Sequence, residues 1–347
     1  MHMRLFLYTN IQSNRFAPLL ETSQTYHLLD KFDVQLVPKV ADADAILFLV
    51  NSRRSLCNIS GKERELLHTN LPLYLLERVD SAILWARELE KLPNLRLIIK
   101  NRVLRKYAYN NEATVKLRYH GSFLDPKIRA KADQVKYQDI SDKLTNLPKL
   151  PDRYKTILKP ALWDFHSSIL SNRMKPYKQE PITWSKRTID VFCVCSERDG
   201  LFGTARSQAK KAIQKLAKTH GLTVQTGSLD KKQYINALRN SKICVACWGF
   251  GEWVHMDGYA MYSQVALVKP NTDFVKMVPD LYQDSRYFPC KADFSDLEQV
   301  VMNLLAMDGK LTQTLKQNSE MVRDWSTKRA ATKFWKLITD DFQLSTT

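Results

Sequence analysis

The sequence predicts an α/β protein whose chain forms two halves, each a parallel β-sheet covered by helices on both faces. Three observations carry this expectation. Short, almost wholly apolar runs of strand length recur along the chain, several stand beside segments with helical apolar spacing, and a proline-rich stretch with neither pattern divides the two series. Buried runs alternating with helices indicate parallel strands, because each crossover helix must cover a face of the sheet. A chain of 347 residues accommodates two domains of ordinary size.

In the first half, taken as residues 1–150, the strand-length runs are Arg4–Thr9, Val34–Pro38, Ala45–Asn51, Leu71–Glu77 and Leu95–Lys100. Between the last two, Ser81–Leu92 carries Ile83, Leu84, Trp85, Ala86 and Leu89 on a broad apolar face, the mark of a helix. Asp42 and Asp44 have the spacing of a metal-binding acidic pair, but they precede a strand, so they read as a turn into the buried run. Residues 151–187 read as the connection, rich in proline (Pro151, Pro160, Pro176, Pro181) with a short helix over Ala161–Leu170.

Residues 188–325 resume the alternation. Strands are expected at Ile189–Cys195, Leu222–Gln225, Lys242–Cys247, Val265–Pro270 and Tyr287–Pro289. Helices are expected at Thr204–His220, stopped by Gly221, and at Lys231–Asn240, Asp296–Met307 and Leu311–Trp325. Residues 326–347 carry Phe334 and Trp335 in a helical pattern. That segment is either an ordinary cap or a helix packed back on the first half.

Composition narrows the function classes. Hydrophobic residues at 44% and charged residues at 26% are the balance of a soluble globular protein. The longest apolar run, Ala45–Val50, is far too short to span a bilayer, and the first residues read as a strand rather than a secretory signal. A cytoplasmic protein is expected. The formal net charge of +17 favours anionic partners, including peripheral contact with an anionic membrane surface. No zinc finger or RNA-recognition motif accompanies it, so nucleic acid is not the expected partner. Cys193, Cys195, Cys244 and Cys247 superficially suggest zinc. Positions 244 and 247 of a strand face opposite ways, however, so these cysteines are expected to be reduced core residues and no metal site is assigned.

The chemistry concentrates after the strand ending at Cys247. The chain there enters a loop with Gly249 and Gly251, which permit close backbone approach to a ligand, and a helix starts near His255. Free N–H groups at the start of that helix make an anion site suited to a diphosphate. A turn glycine of no chemical significance gives the same short pattern.

The wider string resembles a group of GT-B-fold glycosyltransferases whose loop reads roughly W-G-x-G-E-x-x-x-R-D-x-E-A, with a following strand ending in K-P-(D/N). Trp248, Gly249, Gly251, Glu252, Asp257, Ala260, Lys269 and Pro270 carry the likeness over about forty residues. Met256 stands where the group has arginine, and Tyr259 where it has an acidic residue that hydrogen-bonds ribose. The resemblance implies two Rossmann-like domains facing a cleft. The donor would be a nucleotide sugar, taken as substrate with no separate cofactor and no metal, and the acceptor a glycan or glycoconjugate. Donor contacts are then expected from Arg198, Gly203, Arg206, Trp248, Gly249, Gly251, Asp257, Tyr259 and Lys269. Catalytic candidates are Glu77, which ends its strand and can equally pair with Arg78, together with His255 and Glu252. A non-catalytic sugar-nucleotide or glycan binder and a basic nucleic-acid-binding protein are the alternatives.

Overall fold

The computed structural model describes residues 2–9, 17–50, 65–77, 92–104, 153–161, 180–195, 201–247 and 253–346, apart from 274, 284 and 292. Its first half contains β1 (Met3–Thr9), α1 (Ala17–Thr25), α2 (Leu28–Lys31), β2 (Val34–Val37), β3 (Ala45–Val50), β4 (Leu73–Glu77), β5 (Leu95–Lys100), β6 (Arg102–Leu104), α3 (Arg153–Ile157) and β7 (Leu158–Pro160). The second contains β8 (Ile189–Cys193), α4 (Leu201–His220), β9 (Val224–Thr226), α5 (Lys231–Arg239), β10 (Ser241–Val245), α6 (His255–Tyr262), β11 (Ala266–Pro270), β12 (Val275–Met277), β13 (Phe288–Cys290), α7 (Leu297–Ala306), α8 (Thr312–Asp324) and α9 (Ala330–Thr346). The expected helices over 81–92 and 161–170 fall almost wholly outside the described residues.

The first sheet has six strands in the order β2-β1-β3-β4-β5-β7 and the second has five in the order β13-β11-β10-β8-β9. Every pairing within both sheets is parallel. The fold is therefore α/β with two parallel sheets. Counted within each half, the strands share one doubly wound order, in which the second strand lies outside the first and the third onward build away on the other side.

Period-two alternation divides each strand between two cores. In the first sheet Ala45, Leu47 and Leu49 join one cluster with Tyr74 and Leu76, while Ile46 and Phe48 join the opposite cluster with Leu73 and Leu75. In the second sheet Phe192, Cys244, Ala246 and Leu267 pack with α5, α6 and α8, while Val191, Ile243, Val245 and Val268 pack with α4 and α7. Nearly continuous apolar strands result because both faces are covered.

Three features were not anticipated from the sequence. Leu158–Pro160, inside the stretch read as connection, is the sixth strand of the first sheet, paired with Ile98–Lys100. The residue before a proline is driven to extended geometry, and a proline is tolerated at a sheet edge. Second, Arg102–Leu104 and Val275–Met277 form a two-stranded antiparallel ribbon across the two halves of the sequence. Both pieces are only three residues long, below the length at which alternation can be read. Third, Arg187 is a buried cation: its guanidinium donates to the carbonyls of Ile182, Ser241 and Ser263 at 2.9, 2.7 and 3.0 Å. Burial, then the neighbouring charge of Arg239, lowers its pKa to about 10. Asp44 behaves as the turn residue it was read to be, accepting from the Arg4 backbone N–H at 2.8 Å and from its guanidinium at 2.6 Å.

A π-helical turn, Trp325–Arg329, carries the chain from α8 to α9. Val322 before it and Trp325 at its start belong to the second sheet's core, whereas Ala331, Phe334, Trp335, Ile338 and Phe342 after it belong to the first sheet's core with Met3, Leu5, Leu47 and Leu97. Trp335 is fully buried, and its indole Nε1 donates to Ser23 Oγ at 2.6 Å. Among the described residues no helix is long and apolar enough to cross a membrane. Trp335→Ala is expected to cost about 3–5 kcal/mol, read as a lower urea midpoint with an unchanged slope. A loss below about 1 kcal/mol would show that α9 does not hold the first core together.

Candidate functional site

In a doubly wound sheet, ligands bind beyond the carboxyl ends of the strands where the winding reverses. In the second sheet that point lies between β8 and β10, which pair with Ile243 opposite Val191 and Cys244 opposite Phe192. The helix after β8, α4, covers one face, and the helix after β10, α6, covers the other. The segments leaving this point include residues 196–200 and 248–252, outside the described set. Arg198, Trp248, Gly249, Gly251 and Glu252, all expected at the site, therefore have no described geometry. Gly203 lies in the first turn of α4.

Extending the β8–β10 register by three residues sets Cys247 beside Cys195, and alternation places Cys193 on the same face. The three Sγ atoms lie within 4.8 Å of one another. Cys193 and Cys247 are buried and Cys195 is partly exposed. Cys244 packs into the opposite core, as its position on the strand requires. Sequence reasoning compared 244 with 247 and so overlooked the trio. Pairing 247 with 193 and 195 needs the inter-strand register, which a single sequence does not supply.

The three thiols are hydrogen-bonded to one another. Those bonds, to Cys193 first and then to Cys247, hold the Cys195 pKa down at about 3, assisted by Arg206 and Lys210 and opposed by partial burial. The Cys193 pKa rises well above its ordinary value through its bonds to Cys195 and Cys247 and through burial. For Cys247 the bond to Cys193 lowers the pKa, but the bond to Cys195 together with burial prevails and raises it. Arg206, expected on the donor diphosphate, lies in the second turn of α4 and is partly buried.

Across the same strand ends, α6 begins with His255 at its first position and Val254 as its cap. Asp257 accepts from the Val254 backbone N–H at 3.2 Å, satisfying one free donor of the helix start. The same oxygen, Oδ2, accepts from Lys269 Nζ at 2.9 Å and from the Tyr282 hydroxyl at 2.5 Å. Asp257 and Lys269 have no exposed side-chain surface. Both were expected to face the donor. Their charges are instead directed at each other, with Lys269 reaching from the end of β11 to fix the start of α6. Asp257 Oδ1 has no hydrogen-bond partner among the described residues. His255 is exposed, edge-on to Trp253 at 5.0 Å and stacked on Tyr259 at 6.3 Å between ring centroids. These three rings form one aromatic group at the helix start.

Glu77, at the end of β4, is 1% exposed and accepts from Lys100 Nζ, at the end of β5, at 2.5 Å. Arg78, the expected alternative partner, lies outside the described residues. Tyr282 and Lys100 were not singled out from the sequence. The signal for Lys100 was present, since a lysine closing an apolar strand beside a strand closing in glutamate needs a counter-charge.

No protein-family profile and no curated protein sequence matches the chain. Among solved structures, HepE from Anabaena, crystallised with UDP-glucose, is 11% identical, with 99% of this chain and 100% of that one covered and a TM-score of 0.41. A glycosyltransferase from Rickettsia africae is 12% identical over 97% of this chain and 98% of its own, with a TM-score of 0.40. TarM is 11% identical with a TM-score of 0.41; 95% of this chain is covered, and the match spans 59% of TarM's length. Likeness at this level assigns no activity and no residue role.

Removing the Lys269 charge while keeping its stem, as in Lys269→Met, leaves a buried carboxylate without its cation. The expected loss is about 3 kcal/mol, at the low end for a broken buried pair because Tyr282 still donates. Adding Asp257→Asn is expected to restore much of it, and additive losses in denaturant unfolding would contradict the coupling. In reduced protein, Cys195 is expected to react with iodoacetamide almost as fast at about pH 6 as at pH 8, where an ordinary thiol would slow by roughly a hundredfold. Peptide mapping of the alkylated protein checks this.

Proposed function

We propose that residues 188–325 bind the diphosphate of a nucleotide sugar where the winding of the second sheet reverses, and that the chain transfers the sugar to a hydroxyl of a glycan or glycoconjugate. One observation carries the reading. β10 ends at the reversal point and leads, through the segment holding Gly249 and Gly251, to the N-terminus of α6. Helix N–H groups at a strand's carboxyl end favour a diphosphate in the ground state and still more as it departs with added charge. Trp248, Gly249 and Gly251 line that approach in this reading, and Arg198, Gly203 and Arg206 approach from the α4 side. No metal is assigned to the leaving group.

Asp257 and Lys269 act in this reading as positioning residues. Their buried pair sets the direction of α6 and so of its free N–H groups. Tyr259 takes the ribose contact with its hydroxyl, as donor or acceptor, where a carboxylate would accept only. An acceptor hydroxyl also needs a base. Of Glu77, Glu252 and His255, His255 is the one exposed among the described residues, so it takes that role. Glu77, enclosed with Lys100, instead fixes the carboxyl ends of β4 and β5 inside the first sheet.

A non-catalytic sugar-nucleotide binder is the second reading, favoured by Met256 and Tyr259 at the two departures from the resembled pattern and by the burial of Glu77. A panel of nucleotide sugars separates the two. Donor hydrolysis or transfer, falling about 10²–10³-fold in His255→Ala, supports transfer. Thermal stabilisation by the nucleotide without turnover supports the binder. Gly251→Asp, which adds bulk and negative charge, is expected to abolish the stabilisation in either case. No response to any nucleoside diphosphate, or an unchanged affinity in Gly251→Asp, would move the site elsewhere. Affinity for unrelated DNA or RNA that outlasts moderate salt would instead favour nucleic acid.

A further inference from the structure

We propose that Cys193, Cys195 and Cys247 form a binding site for one soft, thiophilic metal ion, held by three sulfurs at the carboxyl ends of β8 and β10. The inference is independent of the sugar-transfer reading.

Geometry is the first support. Three sulfurs about 2.3 Å from one centre stand roughly 4 Å apart. The three Sγ atoms already lie within 4.8 Å of one another, so an ion draws them together by less than about an ångström. Their convergence is enforced by the backbone: the β8–β10 register and the two-residue alternation put all three on one face. Cys290 and Cys244, also buried, are not in the group.

The donor set is the second. Thiolates select soft ions, monovalent copper and zinc among them, over magnesium or calcium. Among the described residues no histidine or carboxylate joins the three cysteines, and a three-sulfur set suits a trigonal ion. Charge supports the assignment too. Three thiolates around a monovalent ion carry two net negative charges, and Arg206 and Lys210 act electrostatically on Cys195 from the adjoining helix. On binding, each sulfur forms a bond to the ion and the remaining thiol protons pass to solvent. A disulfide would use only two of the three sulfurs.

The ion would join the two strand ends from which residues 196–200 and 248–252 depart. Without it, the strands are held there by backbone pairing and three thiol contacts. With it, they are bridged covalently at the reversal point.

Titration of reduced protein with Cd2+ under argon tests the site through the ultraviolet band of thiolate-to-metal charge transfer. One ion per chain is expected. The band per bound ion should fall by about one third in each of Cys193→Ser, Cys195→Ser and Cys247→Ser, as it scales with the number of thiolate ligands, and stay unchanged in Cys244→Ser and Cys290→Ser. Cys195→Ser, at the partly exposed position, is the variant expected to fold as the parent does, and far-ultraviolet dichroism checks that. Failure of the reduced parent to bind, or an unaltered band in Cys195→Ser, would overturn the proposal. So would a disulfide among these cysteines that survives the reductant, seen as a mass deficit of two hydrogens in protein that takes up no Cd2+, which would make the trio a redox pair. None of these outcomes depends on nucleotide binding.

Discussion

Parallel pairing of β8 with β10 sets two strand ends side by side while the helices that follow them leave toward opposite faces of the sheet. Near these strand ends stand the three thiols, Arg206 on α4, the start of α6 with His255, and the pair of Asp257 and Lys269. A slip of one residue in this pairing would turn Cys247 into the opposite core and separate it from Cys195.

Both sheets place a lysine at the carboxyl end of a buried strand and answer it with a carboxylate. Lys100 meets Glu77 on the neighbouring strand, and Lys269 meets Asp257 on the covering helix. Neither pair is an efficient source of stability, since removing two charges from water costs about what their attraction returns. Their effect is on direction. An ammonium with no solvent to turn to holds its carboxylate in one place, and in the second half that carboxylate also caps α6. Tyr282 adds a third donor and limits the carboxylate's freedom further.

Much of this architecture was legible in the residues. Apolar runs such as Ala45–Val50 and Ala266–Val268 must be buried on both faces, which favours parallel sheets, and the helical periods read in the second half appeared within a few residues of their observed ends. Short pieces were not legible. Leu158–Pro160 looked like linker because proline dominates its surroundings, and the ribbon of Arg102–Leu104 with Val275–Met277 pairs segments too brief to show a period. The sequence pointed to the turn after Cys247 as the site, and of the residues named around it Lys269 and Glu77 turned out to be enclosed in ion pairs. Burial of Lys269 and Glu77 depends on what covers a strand end, and that is decided by residues remote in sequence. The cysteine trio needed a register between strands some fifty positions apart, which no local pattern encodes.

The hydrogen bond from Trp335 to Ser23 joins residues 312 positions apart. On a ribosome, β1 emerges long before the helix that will cover it. Until α9 is made, the core around Met3, Leu5 and Leu47 lacks Phe334, Trp335 and Ile338. The first sheet therefore cannot finish its core during its own synthesis. Its completion waits for the second half, and the order of manufacture is not the order of assembly.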